Sequence, residues 1–167
     1  MIKRTDFLII GSGIAGLSYA LKAAAHGTVT IVTKKQIAKT NTALAQGGVA
    51  AVFSEQDSFE LHLKDTLDAG DGLCNRDVTK MVVESGPQRI RELVYQGAEF
   101  NKTGEGDFDF ALGQEGGHSA KRIVYAHDLT GKEIEDTLVD NVRKNKNIRI
   151  LEDHIAINLI TFQSSIR

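Results

Sequence analysis

The sequence predicts an α/β fold with a parallel sheet, because a strand, a glycine-rich turn, a helix and a second strand follow one another within residues 6–34. The first strand, Asp6 to Ile10, is a short apolar run of the kind that buried parallel strands show. The second strand, TVTIVTK at residues 28–34, is rich in β-branched residues. Together these segments form one strand–helix–strand unit, and such units build parallel sheets.

The helix between the two strands is predicted from LSYALKAAAHG, residues 17–27. Alanine, which recurs in this segment, has the highest helix propensity of any residue. Gly27 stands where the C-terminus of a helix favours a residue with positive φ, so the helix is expected to end there.

Two further helices are predicted at residues 58–69 and 77–95. The second carries apolar residues on one side, as expected of a helix packed against a core. It is expected to break or kink near Gly86 and Pro87, because proline lacks the N–H that a helix interior uses.

A fourth helix is predicted from Thr130 and Glu133, which have the spacing of a capping box. In such a box the first side chain caps the helix and the second returns to the backbone of the first. His127 and Asp128 immediately precede this helix, and we interpret both as structural.

The remaining segments are two long loops and two late strands. Residues 35–53 are small and polar, residues 101–120 are rich in glycine, and loops of this length are commonly functional or disordered. The segments NIRIL (147–151) and IAINLI (155–160) are predicted to be strands.

Length and composition limit the class of protein. With 167 residues, the chain is long enough for one domain with a sizeable core and leaves little room for two. Its hydrophobic share of 41% and charged share of 25% are typical of soluble globular proteins. The net charge of −2 provides no basic field, so the sequence predicts neither a nucleic-acid partner nor binding to an anionic membrane.

Cysteine content indicates the compartment. Cys74 is the single cysteine, which excludes an intrachain disulfide and fits a reducing environment. No apolar run reaches the roughly 18 residues that a membrane span needs. We therefore expect a cytoplasmic protein without a membrane span. No metal site is expected, because CxxC and HExxH motifs are absent and the five histidines lack ligand spacing.

The turn after the first strand reads GSGIAG, which matches the GxGxxG pattern of dinucleotide-binding turns. The first glycine makes the tight turn, the second lets the backbone approach a pyrophosphate, and the third lets helix and strand pack closely. The helix N-terminus supplies amide donors and positive potential. The residues predicted to hold the pyrophosphate are Gly11, Ser12, Gly13, Ile14, Ala15 and Gly16.

The identity of the dinucleotide is left open by this motif. NAD sites usually have an acidic residue about 20 positions further on, bonded to the ribose. Here the second strand ends Thr33-Lys34-Lys35, which disfavours an NAD site of the common kind. Lys34 is compatible with the 2′-phosphate of NADP and equally with a ribose or phosphate of FAD. An NADP-dependent dehydrogenase therefore remains an alternative at this point.

Three segments together resemble the L-aspartate oxidase family, within the succinate dehydrogenase/fumarate reductase flavoprotein superfamily. They are DFLIIGSGIAGLSYAL (6–21), NTALAQGGVAAVF (41–53) and QEGGHSAKRIVYAHDLTGKEIEDTL (114–138). The resemblance keeps their order and spacing over essentially the whole chain. It implies a Rossmann-like FAD-binding domain with a parallel sheet.

The resemblance also implies a reaction and its partners. In this family L-aspartate is oxidised to iminosuccinate by hydride transfer to FAD, and oxygen or fumarate then reoxidises the flavin. This is the first step of NAD biosynthesis from aspartate, and iminosuccinate passes to quinolinate synthase. The alternatives are a soluble fumarate reductase or succinate dehydrogenase-type flavoprotein, and a non-catalytic dinucleotide-binding module.

Cofactor contacts follow from the resemblance residue by residue. Lys34 matches the lysine after the second strand, and the backbone near Ala156 is expected to contact the adenine side. The segment that matches the family's stretch beside the flavin consists of Asn41, Thr42, Ala43, Leu44, Ala45, Gln46, Gly47 and Gly48. Covalent succinate dehydrogenases have a flavin-linked histidine at the position of Asn41. An amide cannot make that link, so FAD is expected to be held non-covalently.

Substrate contacts are expected from residues 113–120, GQEGGHSA. Glu115 stands where the succinate and fumarate enzymes usually have phenylalanine, and aspartate oxidases have glutamate. We expect Glu115 to bond the substrate ammonium, set specificity and help to deprotonate the amine. His118 is expected to orient nearby groups. Gln114 replaces the arginine that the family usually has before this glutamate, so Glu115 lacks that positively charged partner.

The resemblance predicts that residues 1–167 are the N-terminal part of an FAD-binding domain. The capping domain and the C-terminal helical domain of the family are not represented in these residues. The family's substrate-binding arginine and further histidine and arginine residues also belong to those parts. Because a sheet cut in this way lacks strands, we expect exposed apolar surface.

Overall fold

The computed structural model describes residues 3–127 and 129–160. It divides into two units, one made of Met1–Thr40 with Leu138–Arg167 and the other of Asn41–Thr137. The elements in chain order are β1 (Phe7–Ile10), α1 (Ile14–Ala23), β2 (Val29–Val32), β3 (Val49–Ala50), α2 (Phe59–Ala69), α3 (Arg76–Tyr95), β4 (Leu112–Gly113), β5 (Ile123–Val124), α4 (Thr130–Lys144) and β6 (Ile148–Leu151). A short 3-10 turn lies at Thr42–Leu44.

The first unit contains the predicted parallel sheet, with strand order β1-β2-β6. Both strand pairs are parallel, and Val29 of the central strand is in register with Phe7 on one side and Ile148 on the other. Helix α1 buries Leu17, Ala20 and Ala23 and packs on β1 and β2. The sequence therefore predicted this α/β unit correctly.

The edge strand β1 carries the exposed apolar surface that the sequence predicts. Leu8 is 54% exposed and Ile10 is 65% exposed, whereas Ile31 of the central strand is fully buried. An edge strand with apolar side chains in solvent is a surface on which further structure can pack.

Two details of the first unit differ from the predictions. Helix α1 ends at Ala23, and Gly27 is not among the described residues with positive φ. A Cβ at Gly27 would lie 2.7 Å from Oδ2 of Asp6, so this glycine allows a close approach rather than a helix cap. The predicted strand at residues 155–160 is also wrong: these residues form no regular structure, and Ile155 and Ile157 are exposed.

The second unit contains an antiparallel sheet that the sequence did not reveal. Its order is β3-β5-β4, and each strand has only two residues, too few to show an alternating pattern. Helices α2 and α3 lie against each other and begin with side-chain caps. Ser58 Oγ accepts the N–H of Leu61, and Asn75 Oδ1 accepts those of Asp77 and Val78.

Helix α3 runs without interruption from Arg76 to Tyr95, so a break near Gly86 and Pro87 is wrong, while the alternative of a kink stays a prediction. Both residues lie inside the helix, and Pro87 is buried. A Cβ at Gly86 would be 3.4 Å from Cβ of Ala51, which means that the helix backbone packs closely there. Tertiary packing therefore outweighs the loss of one helical hydrogen bond at the proline.

Helix α4 begins at Thr130, but its predicted capping box is wrong. The hydroxyl of Thr130 instead accepts the N–H of Ala126 at 3.0 Å. The carboxylate of Glu133 accepts the N–H of Glu99 at 2.9 Å. Both side chains therefore tie the start of the helix to other segments of the second unit.

Within residues 3–127 and 129–160, no helix has the length and apolar character needed to cross a bilayer. The same residues place no group of three or more His, Cys, Asp or Glu where a metal ion could be held.

Candidate functional site

The turn between β1 and α1 has the backbone that a pyrophosphate requires. Gly11 has φ of +103°, a conformation that L side chains rarely adopt. A Cβ at Gly16 would collide with the carbonyl oxygen of Gly11, so the third glycine lets helix and turn pack closely. Gly13 is the N-cap residue and has no side chain with which to cap the helix. Ile14 and Ala15 are exposed at the helix N-terminus, where amide donors favour an anion.

Ser12 fixes this turn from the inside. Its side chain is buried, and its hydroxyl donates to the carbonyl of Ile37 at 2.8 Å and lies 3.1 Å from Oγ1 of Thr33. The backbone of Ser12, rather than its hydroxyl, is therefore the part suited to a ligand. Its predicted cofactor contact stays a prediction.

The other residues predicted to contact the cofactor in the first unit follow the carboxyl ends of the strands. Gly11 follows β1, and its N–H donates to the carbonyl of Val32 at the end of β2. Lys34 follows β2 and is exposed. The N–H of His154 donates to the carbonyl of Thr33, and Ala156, which is exposed, follows two residues later. Ligands of parallel α/β sheets bind outside these strand ends, so the arrangement fits a dinucleotide.

The segment Asn41–Gly48 belongs to the second unit and is largely open to solvent. Leu44, in the 3-10 turn, is 76% exposed. The N–H of Gly131 donates to Ala45 at 3.0 Å, and a Cβ at Gly131 would collide with the carbonyl oxygen of Thr42. The start of α4 therefore packs directly on the back of this segment and holds its small side chains in place.

An open cleft of about 610 Å³ in the second unit brings together two motifs that are far apart in the sequence. Glu115 lies in it beside Gly47: Oε1 of Glu115 is 3.1 Å from the position that a Cβ at Gly47 would occupy. The lining residues are Gln46, Gly47, Gly113, Gln114, Glu115, Ile123, Tyr125 and His127. The segment predicted to lie beside the flavin, represented by Gln46 and Gly47, and Glu115, predicted to bind the substrate ammonium, thus share one cleft.

Glu115 begins a tight turn that ends at His118. The N–H of His118 donates to the carbonyl of Glu115 at 3.2 Å, and Gly117 has φ of +82°. The amide of Gln114 spans the turn by donating to the carbonyl of His118 at 2.7 Å. Among residues 3–127 and 129–160, no cationic side chain forms an ion pair with Glu115. Its exposed carboxylate is therefore available to an ammonium group.

A buried ion cluster lies directly behind this turn, and sequence reasoning missed it. Arg122 is fully buried and forms two hydrogen bonds to Asp57, from Nε at 2.8 Å and from Nη2 at 2.7 Å. Its Nη1 donates to Oδ2 of Asp65 at 2.6 Å. Ser119 donates to the same oxygen from its N–H and its hydroxyl. One local feature of the sequence could have pointed to this cluster: His62 and Asp65, three residues apart, share a face of α2.

The pKa values in this cluster follow from burial and from the paired charges. Burial raises the pKa of the Asp65 carboxyl, but hydrogen bonds from Ser119 and Arg122 outweigh it and hold that pKa well below its ordinary value. Burial lowers the pKa of Arg122, and the two aspartates more than restore it. The pKa of His62 is lowered, first by burial and then by the positive charge of Arg122. Asp65 is therefore ionised and His62 is neutral at pH 7.

His118 is attached to the cluster rather than to the cleft. Its Nδ1 lies 3.2 Å from Nη1 of Arg122, and its ring centroid is 5.8 Å from that of His62. It is half-buried and is not one of the residues that line the Glu115 cleft. Its predicted orienting role stays a prediction.

His127, which we interpreted as structural, lines the cleft that contains Glu115. It has φ of +45°, an uncommon conformation for a residue with a side chain, and its N–H donates to Oδ1 of Asn101 at 3.0 Å. Asp128 lies outside the described residues. The backbone bond supports a structural role for His127, and its place in the cleft adds contact with the candidate site.

Comparison with known proteins shows the family and the fold of the chain. A family model described as an FAD binding domain matches residues 6–167. The chain is 50% identical to L-aspartate oxidase 2-b, chloroplastic, from Nicotiana tabacum over 158 residues, which are 95% of this chain and 24% of that protein. It is 42% identical to L-aspartate oxidase of Pseudomonas aeruginosa, over 93% of this chain and 30% of that protein. The chain thus spans about a quarter of the length of these curated relatives.

Solved structures show the same fold. A quinol fumarate reductase chain of E. coli superposes with a TM-score of 0.81 at 31% identity, over 89% of this chain and 26% of that chain. Sdh1 of Mycobacterium smegmatis, in complex with UQ1, gives a TM-score of 0.80 at 31% identity, over 89% and 27% of the two chains. With a match that extends over nearly all of its residues, the chain belongs to the FAD binding domain family, whose cofactor is FAD.

Proposed function

We propose that the chain is the N-terminal, FAD-binding part of an L-aspartate oxidase, which converts L-aspartate to iminosuccinate. The observation that carries the proposal is the position of Glu115 against Gly47 in one cleft. A lone carboxylate there suits a substrate that carries an ammonium group, and it would repel a simple dicarboxylate. The similarity to L-aspartate oxidases over 95% of the chain supports the same function.

Glu115 has two tasks in the proposed reaction. Its carboxylate binds the substrate ammonium by a charge-assisted hydrogen bond, which orients the amino carbon. It then helps to take a proton from that nitrogen, so that the nitrogen lone pair can form the C=N bond as the α-hydrogen leaves. FAD, when bound, supplies the two-electron acceptor for the hydride. Gly47 and Gly116 present no side chains, which leaves the substrate room to approach the backbone.

FAD is proposed to be held non-covalently. Asn41, at the position that corresponds to the flavin-linked histidine of covalent relatives, is exposed and has no nucleophilic nitrogen. The residues proposed to contact the cofactor are those of the GSGIAG turn, Lys34, Asn41–Gly48 and the backbone near Ala156. Acid precipitation of the complete protein is expected to release all of its flavin into the supernatant.

A fumarate reductase is the second candidate, and the superposition on the E. coli quinol fumarate reductase supports it at the level of the superfamily. Glu115 argues against it, because a third carboxylate favours aspartate, which carries an ammonium group, over succinate as the substrate to be oxidised. A non-catalytic dinucleotide-binding module is the third candidate. It would bind flavin without reducing it.

The test is anaerobic bleaching of the flavin absorbance in the complete protein, with L-aspartate or succinate, for wild type and Glu115→Phe. We expect bleaching by aspartate alone and weaker bleaching in the variant. Glu105→Phe is the matched control, because Glu105 is exposed in another loop of the same unit and does not line the cleft. Bleaching by succinate alone would favour the fumarate reductase, and no bleaching with either compound would favour the binding module.

The remaining partners follow from the same proposal. Oxygen or fumarate is the proposed electron acceptor, and quinolinate synthase the proposed recipient of iminosuccinate in the first step of NAD biosynthesis from aspartate. Peroxide formation in air, compared with succinate formation from fumarate without oxygen, distinguishes the acceptors. A cytoplasmic location is also proposed, on the basis of the single cysteine. Cell fractionation tests it.

A further inference from the structure

Among the described residues, the guanidinium of Arg122 has one hydrogen-bonding partner that is not a carboxylate, and this partner is the imidazole of His118. Asp57 accepts two hydrogen bonds from one edge of the Arg122 guanidinium, and Asp65 accepts one from Nη1. Such a bidentate bond fixes the plane of the guanidinium. Because Arg122 is fully buried, its remaining hydrogens have few directions in which to find an acceptor.

The chemistry of arginine decides which ring nitrogen of His118 acts as the hydrogen-bond acceptor. A guanidinium can only donate hydrogen bonds, and Nη1 carries two hydrogens. One of them is bonded to Oδ2 of Asp65 at 2.6 Å. The second faces Nδ1 of His118 at 3.2 Å, so that this nitrogen must act as the acceptor and carry no proton. We propose that Arg122 is a positioning residue that holds Nδ1 of His118 as a hydrogen-bond acceptor, with the ring proton on Nε2.

The surroundings of His118 agree with Nδ1 acting as an acceptor. His62, whose ring is the nearest aromatic neighbour, is itself buried beside Arg122. No carboxylate is hydrogen-bonded to the His118 ring among residues 3–127 and 129–160. Asp65 is close, but its Oδ2 is occupied by Arg122 and Ser119. The cluster therefore presents a hydrogen-bond donor to Nδ1 of His118, and within these residues no carboxylate that would accept a proton from this nitrogen.

The same network also fixes the backbone that carries Glu115. Asp65 holds Ser119 by two hydrogen bonds, and Gln114 holds the carbonyl of His118. The turn from Glu115 to His118 is thus tied to α2 at its end, with the imidazole N–H on Nε2 left to donate. The effect of this positioning on substrate binding rests on the proposed function. The assignment of the ring proton of His118 to Nε2 does not.

The test is the ¹⁵N NMR signature of His118 in the complete protein, labelled in its histidines and measured without substrate at pH 8. A protonated ring nitrogen and an unprotonated one have clearly different ¹⁵N shifts, and the spectrum of His118→Gln identifies the signals. We expect an unprotonated Nδ1 and a protonated Nε2. A proton on Nδ1, or on both nitrogens, would overturn the proposal.

Two variants separate Arg122 from the rest of the cluster. Arg122→Lys keeps the positive charge but loses the planar fork, so we expect the His118 signals to shift toward a mixture of the two tautomers. Ser119→Ala removes a bond to Asp65 but leaves the Arg122–His118 contact, and its spectrum should match that of wild type. A folded Arg122→Lys protein with unchanged His118 signals, or a changed tautomer in Ser119→Ala, would contradict the role of Arg122. If the lysine variant does not fold, the wild-type spectrum still shows which ring nitrogen of His118 carries the proton.

Discussion

The two glycine-containing turns of this chain are built in opposite ways. The Gly11–Gly16 turn depends on backbone conformation and close packing: it needs positive φ at Gly11 and no Cβ at Gly16. The Glu115–His118 turn instead depends on charge, because buried Arg122 and its two aspartates hold the residues that close it. A turn of the first kind is encoded in adjacent residues, whereas a turn of the second kind needs partners more than 50 residues away.

The largest loss of stability is expected at the Glu115–His118 turn, which depends on the buried charges behind it. Arg122→Met would leave two buried carboxylates without a cation, and we expect the free energy of unfolding to fall by about 3–5 kcal/mol. Chemical denaturation of the complete protein measures it. Arg89→Met, which breaks an exposed pair with Glu92, should cost less than about 1 kcal/mol. Equal effects of the two substitutions would show that the buried cluster is not a special source of stability.

The Gly11–Gly16 turn should be destabilised by the addition of a single methyl group. Gly16→Ala places a Cβ against the carbonyl of Gly11, and such overpacking typically costs about 1–3 kcal/mol. We also expect weaker FAD binding, measured by fluorescence titration, because the turn must shift. Gly116→Ala is the control for stability, because its Cβ would meet no atom within 4 Å. Normal FAD affinity in Gly16→Ala would mean that the turn does not hold the cofactor.

The charged turn should also be sensitive to acid. The folded-state pKa of Asp65 lies below its ordinary value of about 3.9. Its contribution to stability is therefore complete above about pH 4 and is lost as the pH falls through the lower folded-state pKa. We expect wild type to lose stability as the pH falls from about 4 to about 2, more steeply than Asp65→Asn. Denaturation midpoints across this range measure the slope.

The control for this acid effect is Asp68→Asn on the same helix. Asp68 is exposed and pairs with Lys64, so its removal should leave the pH dependence close to that of wild type. If Asp65→Asn and wild type had parallel profiles, the low pKa of Asp65 would be disproved.

The smallest effect is expected at the edge of the cofactor site. Lys34 is exposed after β2, and replacing it with alanine should weaken FAD binding by about two- to five-fold, the range of an exposed charge contact. Lys35→Ala serves as its control, since this neighbouring lysine is equally exposed and has no predicted contact. Identical titration curves for the two variants would remove Lys34 from the site.

Sequence reasoning succeeded where the determining residues are neighbours. The unit of β1, α1 and β2 could be predicted because apolar runs and GSGIAG lie within 34 residues. It failed at Pro87 and at Thr130, where contacts within the second unit outweigh local rules. It missed the antiparallel sheet because two-residue strands have no pattern, and it missed Arg122 because its partners are Asp57 and Asp65. Glu115 was found through resemblance, and its contact with Gly47 required the structure.

The central claim is that Glu115, in the cleft with Gly47, recognises the amine of the substrate. The most direct measurement compares the apparent affinities of L-aspartate and succinate for the complete FAD-bound protein, in wild type and Glu115→Gln, with Glu105→Gln as control. The substitution keeps the side-chain size and removes its charge. We expect the affinity for aspartate to fall about tenfold or more, as for the loss of a charged hydrogen bond, while that for succinate stays the same or rises. Equal losses for both compounds, or no loss for aspartate, would contradict the account.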